Sequence, residues 1–117
     1  MYQFVIPIHH VNWSTRAVLE GIYQKYNPKN IFVITSENEI KILKDKSKNW
    51  KIKKLTLLDE DNFFLNKYGL TKTDIVSQIT QNKPNYTPGW LYQQIIKLGA
   101  DNVINEIDEV FIVWDSD

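Results

Sequence analysis

The chain has 117 residues, enough for one domain, and its 43% hydrophobic and 24% charged residues are typical of a globular protein with a packed core. It contains no cysteine, which excludes disulfide scaffolds, thiolate metal sites and cysteine nucleophiles. Its formal net charge is zero, although residues 1–58 hold ten Lys and Arg but only four Asp and Glu. Most of these lysines surround a predicted helix end and strand start, so we interpret them as a solvated surface and predict no nucleic-acid partner.

The N-terminus lacks the basic segment that begins a signal peptide. No apolar run approaches the roughly 20 residues that span a bilayer. We therefore expect no membrane span and a cytoplasmic location.

The first strand and helix begin close to the N-terminus. Residues Gln3–Ile8 are apolar on both faces, which predicts a buried parallel strand. Helical spacing of apolar residues predicts a helix over Trp13–Tyr26, and Asn27-Pro28 ends it. Asn30–Thr35 is rich in β-branched residues, which predicts a second buried strand.

A second helix and a third strand follow. Ser36 and Glu39 form a capping box, which predicts a short helix over residues 37–44. The segment Lys51–Leu58 contains the third strand. Asp59-Glu60-Asp61 then supplies the acidic residues that favour a helix N-terminus.

The second half predicts three helices and one strand, over Asn62–Tyr68, Thr71–Thr80, Trp90–Leu98 and Glu109–Trp114. Gly69 and Gly99 are expected to end the first and third of these helices. A short turn over Asp101–Glu106 precedes the strand. The segment 81–89 has two prolines and a glycine, which predicts a loop.

The predicted order is β-α-β-α-β-α-α-α-β. Strands that alternate with helices pair in parallel through right-handed crossovers, so we predict an α/β fold with a Rossmann-like, mostly parallel sheet and flanking helices. Ligands bind such sheets at the carboxyl ends of the strands, which selects the segments 9–12, 35–37, 59–61 and 115–117. The chain lacks the glycine-rich motifs of dinucleotide oxidoreductases and P-loop enzymes, which argues against both classes.

Two carboxylates, Asp115 and Asp117, come directly after the last predicted strand. Alternate residues of an extended segment face the same side, so both carboxylates can face one site. Carboxylate and phosphate oxygens suit a hard divalent cation, which could neutralise a departing diphosphate. The alternative interpretation is a solvated acidic chain end.

Three segments together resemble the N-terminal half of GT-A-type glycosyltransferases, the nucleotide-diphospho-sugar transferases. Phe4–His10 resembles the opening strand that holds the nucleotide in that fold. Gly89–Leu98 resembles the helix that precedes the metal motif, and its Gly-Trp, Gln-Gln and Lys-Leu pairs are similar to those of predicted bacterial and viral sugar transferases. Val110–Asp117 resembles the strand that ends in Asp-x-Asp.

The resemblance implies a set of binding residues. Asp115 and Asp117 would bind Mn²⁺ or Mg²⁺ and, through it, the diphosphate of a nucleotide-sugar donor. The residues implied near the nucleotide or donor are Pro7, His9, Asn12, Gln93, Gln94 and Lys97. Many related families carry an arginine on the helix where this chain has the two glutamines. No catalytic residue is implied.

The resemblance also implies a single, incomplete domain over residues 1–117, because acceptor-side residues usually follow Asp-x-Asp. We expect weak or absent transferase activity from this chain alone, with an unknown acceptor and a location in the cytosol of a bacterium or a viral host. The open edge of the last strand would favour a homodimer or a complementing C-terminal chain.

Two alternatives stay open. One is a catalytically inactive α/β nucleotide-binding or interaction module from a truncated reading frame. The other is a phosphotransfer enzyme of the haloacid-dehalogenase type with Asp115 as nucleophile, although that family places the motif on its first strand. For Trp13 and Trp90 we expect core residues or helix anchors, with sugar-stacking surfaces as the alternative. His9 with His10 alone makes a poor zinc site.

Overall fold

The computed structural model describes residues 1–83, 85 and 87–115. In chain order its elements are β1 (Gln3–Pro7), α1 (Thr15–Tyr26), β2 (Asn30–Thr35), α2 (Glu37–Lys46), a 3₁₀ turn (Ser47–Asn49), β3 (Leu55–Asp59), α3 (Leu65–Tyr68), α4 (Lys72–Asn82), α5 (Pro88–Val103) and β4 (Ile112–Val113). Apart from the 3₁₀ turn, this is the predicted order. Among the described residues, no helix combines the length and hydropathy that crossing a membrane requires.

The four strands form one parallel sheet in the order β3-β2-β1-β4. Val5 of β1 pairs with Phe32 of β2 on one side and with Val113 of β4 on the other. The chain therefore builds outward in one direction from β1 to β3 and then returns to the opposite side of β1. The carboxyl ends of β1 and β4 flank this reversal, which is where open α/β sheets bind their ligands. The α/β class and the Rossmann-like arrangement are confirmed.

Both faces of the sheet are covered by helices, which explains the wholly apolar strands. Side chains alternate along β1, so Val5 packs on one face with Tyr92 and Ile96 of α5. Phe4 points to the other face and packs with Leu19 of α1. α5 therefore lies against the centre of the sheet, and its first turn lies at the carboxyl edge.

The prediction that Gly99 ends its helix was wrong, because α5 continues through it to Val103. A Cβ atom at Gly99 would lie 3.0 Å from Cε1 of Phe64, so this glycine allows close packing between the helix and that ring. Gly69 does end α3, in the left-handed conformation at φ 68°.

The last strand is also shorter than the predicted Glu109–Trp114, because it pairs with β1 only over Ile112–Val113. The residues that precede the predicted strand are held by a side chain. Gln3 is buried, and its Nε2 donates to the Glu106 carbonyl at 2.8 Å. Its Oε1 accepts from the Asp108 N–H at 2.5 Å. Gln3 therefore fixes the path by which the chain enters β4.

Candidate functional site

A cleft of about 300 Å³ opens at the carboxyl edge, between the loop after β1 and the first turns of α4 and α5. Its lining residues are His9, Glu60, Lys72, Thr87, Gly89, Trp90 and Gln93. They come from four separate parts of the chain, and we call this feature the Glu60 cleft. Most of these side chains are polar, and Trp90 is the one large aromatic side chain among them.

Glu60 is the buried charge of this cleft, with only 6% of its surface exposed. Its carboxylate lies 3.4 Å from the ammonium group of Lys72, the first residue of α4. Its backbone carbonyl accepts a 2.5 Å hydrogen bond from the Tyr92 hydroxyl of α5. The same lysine ammonium lies 5.6 Å from the centre of the Tyr92 ring. Glu60 thus joins the end of β3 to both helices.

The turn after β3 turns Glu60 inward. Asp59 accepts from the Asp61 N–H at 2.9 Å and from the Asn62 amide at 3.1 Å. The Glu60 N–H donates to the Thr35 carbonyl at the end of β2. The acidic triplet was expected to act at a helix N-terminus, but its first residue closes this turn and its second is buried.

A second polar contact lies further along α5. The Lys97 ammonium pairs with the Asp115 carboxylate just beyond β4. The side chain of Lys97 is 13% exposed and that of Asp115 is 71% exposed. The lysine is therefore mostly covered by protein, and the carboxylate is open to solvent. Gln93 and Lys97 are four residues apart, hence one helical turn apart on the same side of α5. The pair is therefore next to the Glu60 cleft along the helix.

Of the other residues predicted from the sequence, only some lie near the Glu60 cleft or the Lys97–Asp115 pair. Pro7 is buried at the end of β1, and His9 lines the cleft. Gln94 is partly buried on α5. Asn12 starts helix α1, where its side-chain oxygen accepts from the Ser14 N–H at 2.9 Å. Asn12 is therefore engaged in the α1 start and does not line the cleft.

Asp117 lies outside the described residues. Among the residues that the structure does describe, no group of three or more His, Asp or Glu is close enough to hold a metal ion. Asp115 faces the Lys97 ammonium, which opposes a bare cation at the same carboxylate. Asp115 fits a divalent metal only together with further oxygen ligands, such as those of a phosphate.

The expectation that both tryptophans are core or anchor residues was wrong. Trp13 precedes α1 and is 93% exposed, and Trp90 is 55% exposed at the cleft. Helical spacing placed Trp13 in a helix that actually begins at Thr15.

Sequence reasoning placed the segment 59–61 at the carboxyl edge but did not bring Glu60 together with Lys72 and Thr87 in one cleft. Each has a local explanation in the sequence, as part of an acidic turn or a helix start. Their meeting depends on how α4 and α5 pack at the carboxyl edge. The usable signal was the charged residue directly after a buried strand.

Removing the Tyr92 hydroxyl is expected to make the protein less sensitive to alkali. Burial raises the pKa of Tyr92, and the carboxylates of Glu60, Asp61 and Asp59 raise it further. The folded state therefore keeps this proton above the unfolded pKa of about 10, so stability is full below that pH and falls as the pH rises towards the folded pKa.

Urea unfolding between about pH 8 and about pH 11 measures this difference. Wild-type protein should lose more unfolding free energy over the interval than Tyr92→Phe, and Tyr26→Phe on the exposed end of α1 should behave as wild type. Identical losses in all three proteins would contradict the assignment.

Comparison with known protein families matches residues 17–117 to DUF6492, a family of unknown function. Neither the curated proteins nor the solved structures contain a match to the chain. The matched range includes every residue of the Glu60 cleft except His9, and it includes both Lys97 and Asp115. Because the match covers most of its length, the chain belongs to the DUF6492 family.

Proposed function

We propose that this protein binds a nucleotide-sugar donor together with a divalent metal, as the donor-binding part of a GT-A-type glycosyltransferase. One observation carries the proposal: Asp115 lies at the reversal between β1 and β4, paired with Lys97 of the preceding helix. The Trp114 N–H donates to the Val5 carbonyl at 3.0 Å, so Asp115 follows directly beside the end of β1. A carboxylate and an ammonium at this position suit a metal–diphosphate ligand.

Different residues would bind the diphosphate and the nucleoside of the donor. Lys97 would neutralise phosphate oxygens, while Asp115 and Asp117 would hold Mn²⁺ or Mg²⁺ against them. When bound, the metal stabilises the negative charge of the leaving diphosphate. Pro7 and His9, at the end of β1, would approach the nucleoside. The acceptor and the stereochemistry stay unassigned.

Because Lys97 pairs with Asp115, we expect the metal to bind well only together with the nucleotide diphosphate. A bare cation at Asp115 meets the repulsion of the ammonium, whereas a metal carried by a diphosphate also brings the anion that Lys97 can bind. Nucleotide and metal should therefore bind together, each strengthening the other, as linkage requires.

Calorimetric titration of UDP and GDP, with and without Mn²⁺, tests the proposal. We expect one of the nucleotides to bind only with Mn²⁺, and Asp115→Asn to weaken that binding by about tenfold or more. Asp101→Asn, on an exposed part of α5, is the matched control and should bind as wild type.

Other results of these titrations would contradict the proposal. Mn²⁺-independent binding, or equal affinity in Asp115→Asn, would contradict the metal–diphosphate site. Absence of binding by both nucleotides would favour the alternative of a catalytically inactive α/β interaction module.

A further inference from the structure

We infer that the Glu60 cleft binds a neutral pyranose ring. The proposed function uses His9 from this cleft but leaves Glu60, Lys72, Thr87, Trp90 and Gln93 without a ligand. The side chains of the Glu60 cleft alone support the binding of such a ring. The role of the ring as part of a transferase substrate rests on the proposed function.

The charges of the cleft favour a neutral ligand. The Glu60 carboxylate and the Lys72 ammonium lie 3.4 Å apart, so each already has its counter-ion. An anionic group bound to Lys72 would lie beside a carboxylate that is 94% buried and poorly screened by water. A cationic group would meet the ammonium in the same way. Neither charged class gains from this site.

The hydrogen-bonding groups suit a ring with several hydroxyls. The Glu60 carboxylate accepts and the Lys72 ammonium donates, while the Thr87 hydroxyl and the Gln93 amide do both. A sugar hydroxyl also donates and accepts, so adjacent hydroxyls can satisfy neighbouring donors and acceptors together. The paired carboxylate and ammonium keep spare acceptor and donor positions, so a hydroxylated ring can hydrogen-bond to both without separating them, which a ligand without hydroxyls cannot do.

Trp90 gives the cleft its large apolar wall. This side chain is 55% exposed, although an indole of this size usually packs in a core or against a partner. The C–H face of a pyranose ring needs such a surface, since its hydroxyls point outward around the ring. The combination of one indole with several polar groups therefore matches both parts of a sugar.

The size and position fit a single ring beside the diphosphate site. A volume of about 300 Å³ is at the lower end of the range for ligand pockets, which suits one sugar unit. Gln93 in the cleft is one turn of α5 from Lys97, which pairs with Asp115. The ring can arrive as the sugar of the donor or as a unit of the acceptor, because both present the same hydroxyls.

Saturation-transfer NMR on the full chain tests the inference, with the methyl glycosides of glucose, galactose, mannose and N-acetylglucosamine as probes. At least one should receive saturation, and Trp90→Ala should weaken its binding by about tenfold or more. Trp13→Ala removes another exposed tryptophan, outside the cleft, and should bind as wild type.

A second pair of variants fills space instead of removing it. A Cβ atom at Gly89, in the wall of the cleft, would have no neighbour within 4 Å, and the same holds at Gly21 on α1. Gly89→Leu should therefore fold normally and reduce glycoside binding, whereas Gly21→Leu should fold and bind as wild type. If Gly89→Leu and Trp90→Ala both bind the glycoside as tightly as wild type does, the inference is overturned.

Competition separates the two sources of the ring. A glycoside displaced by a UDP-sugar with Mn²⁺, but not by UDP with Mn²⁺, occupies the position of the donor sugar. A glycoside that stays bound beside the UDP-sugar is an acceptor unit. No saturation of any glycoside, with or without the nucleotide, would overturn the inference, and so would uridine binding that depends on Trp90.

The failure of one proposal is distinguishable from the failure of the other. Glycoside binding that depends on Trp90, in a protein that binds neither UDP nor GDP, would overturn the nucleotide-sugar proposal and support the carbohydrate cleft. Metal-dependent nucleotide binding without any glycoside binding would have the reverse meaning.

Discussion

Replacing Lys72 by Met should lower the free energy of unfolding by about 2 to 4 kcal/mol, because it leaves a buried carboxylate without its cation. Glu60 is 6% exposed, and its carboxylate lies 3.4 Å from the Lys72 ammonium. Methionine keeps most of the apolar stem of lysine, so the loss reflects the charge more than the packing. Urea unfolding followed by circular dichroism measures the change, as a shift of the midpoint at constant slope.

A double-mutant cycle separates the ion pair from the general effect of substitution. Glu60→Gln removes the buried charge, so the double variant with Lys72→Met should be more stable than Lys72→Met alone. Lys67→Met on the exposed side of α3 controls for loss of a surface lysine and should change stability by less than about 0.5 kcal/mol. Additive losses in the double variant would show that the two groups do not stabilise each other.

The first two strands could be predicted because the apolar pattern lies within each segment, whereas the last strand was predicted too long. β2 occupies the predicted Asn30–Thr35, since a short β-branched run favours a strand buried on both faces. Gly99 shows where such reasoning ends. A glycine near the end of a helical pattern fits both a C-cap and a close contact, and only the position of the Phe64 ring decides between them.

The candidate site divides in the same way. His9 follows the carboxyl end of the first strand, a general binding position, whereas Gln93 was named only through the resemblance to glycosyltransferases; both line the cleft. The segment 59–61 was also placed at the carboxyl edge, but the Glu60–Lys72 pair could not be predicted, because the two residues lie twelve apart in sequence and meet only through the packing of α4. Trp13 was wrongly placed in the first helix because its spacing fits a helix. The chain turns at Asn12 and Ser14 before α1 begins.

Replacing Lys97 by Met is expected to change metal binding and nucleotide binding in opposite directions. Its ammonium pairs with the Asp115 carboxylate, with 13% of the lysine side chain exposed. Without that cation, Mn²⁺ alone meets less repulsion at Asp115 and should bind more tightly. On the proposed function, the nucleotide diphosphate with Mn²⁺ would lose a charge-assisted hydrogen bond and should bind about tenfold more weakly or worse.

Titration of Mn²⁺ alone, and of the nucleotide in saturating Mn²⁺, measures both effects on the same protein. Lys97→Arg keeps the charge and should retain most of the nucleotide affinity, whereas Lys25→Met on the exposed surface of α1 should match wild type. Urea unfolding of each variant separates lost binding from lost folding. If Lys97→Met weakens Mn²⁺ and nucleotide equally, its ammonium supports the fold of β4 and does not contact phosphate. Unchanged nucleotide affinity would place the diphosphate elsewhere on the carboxyl edge.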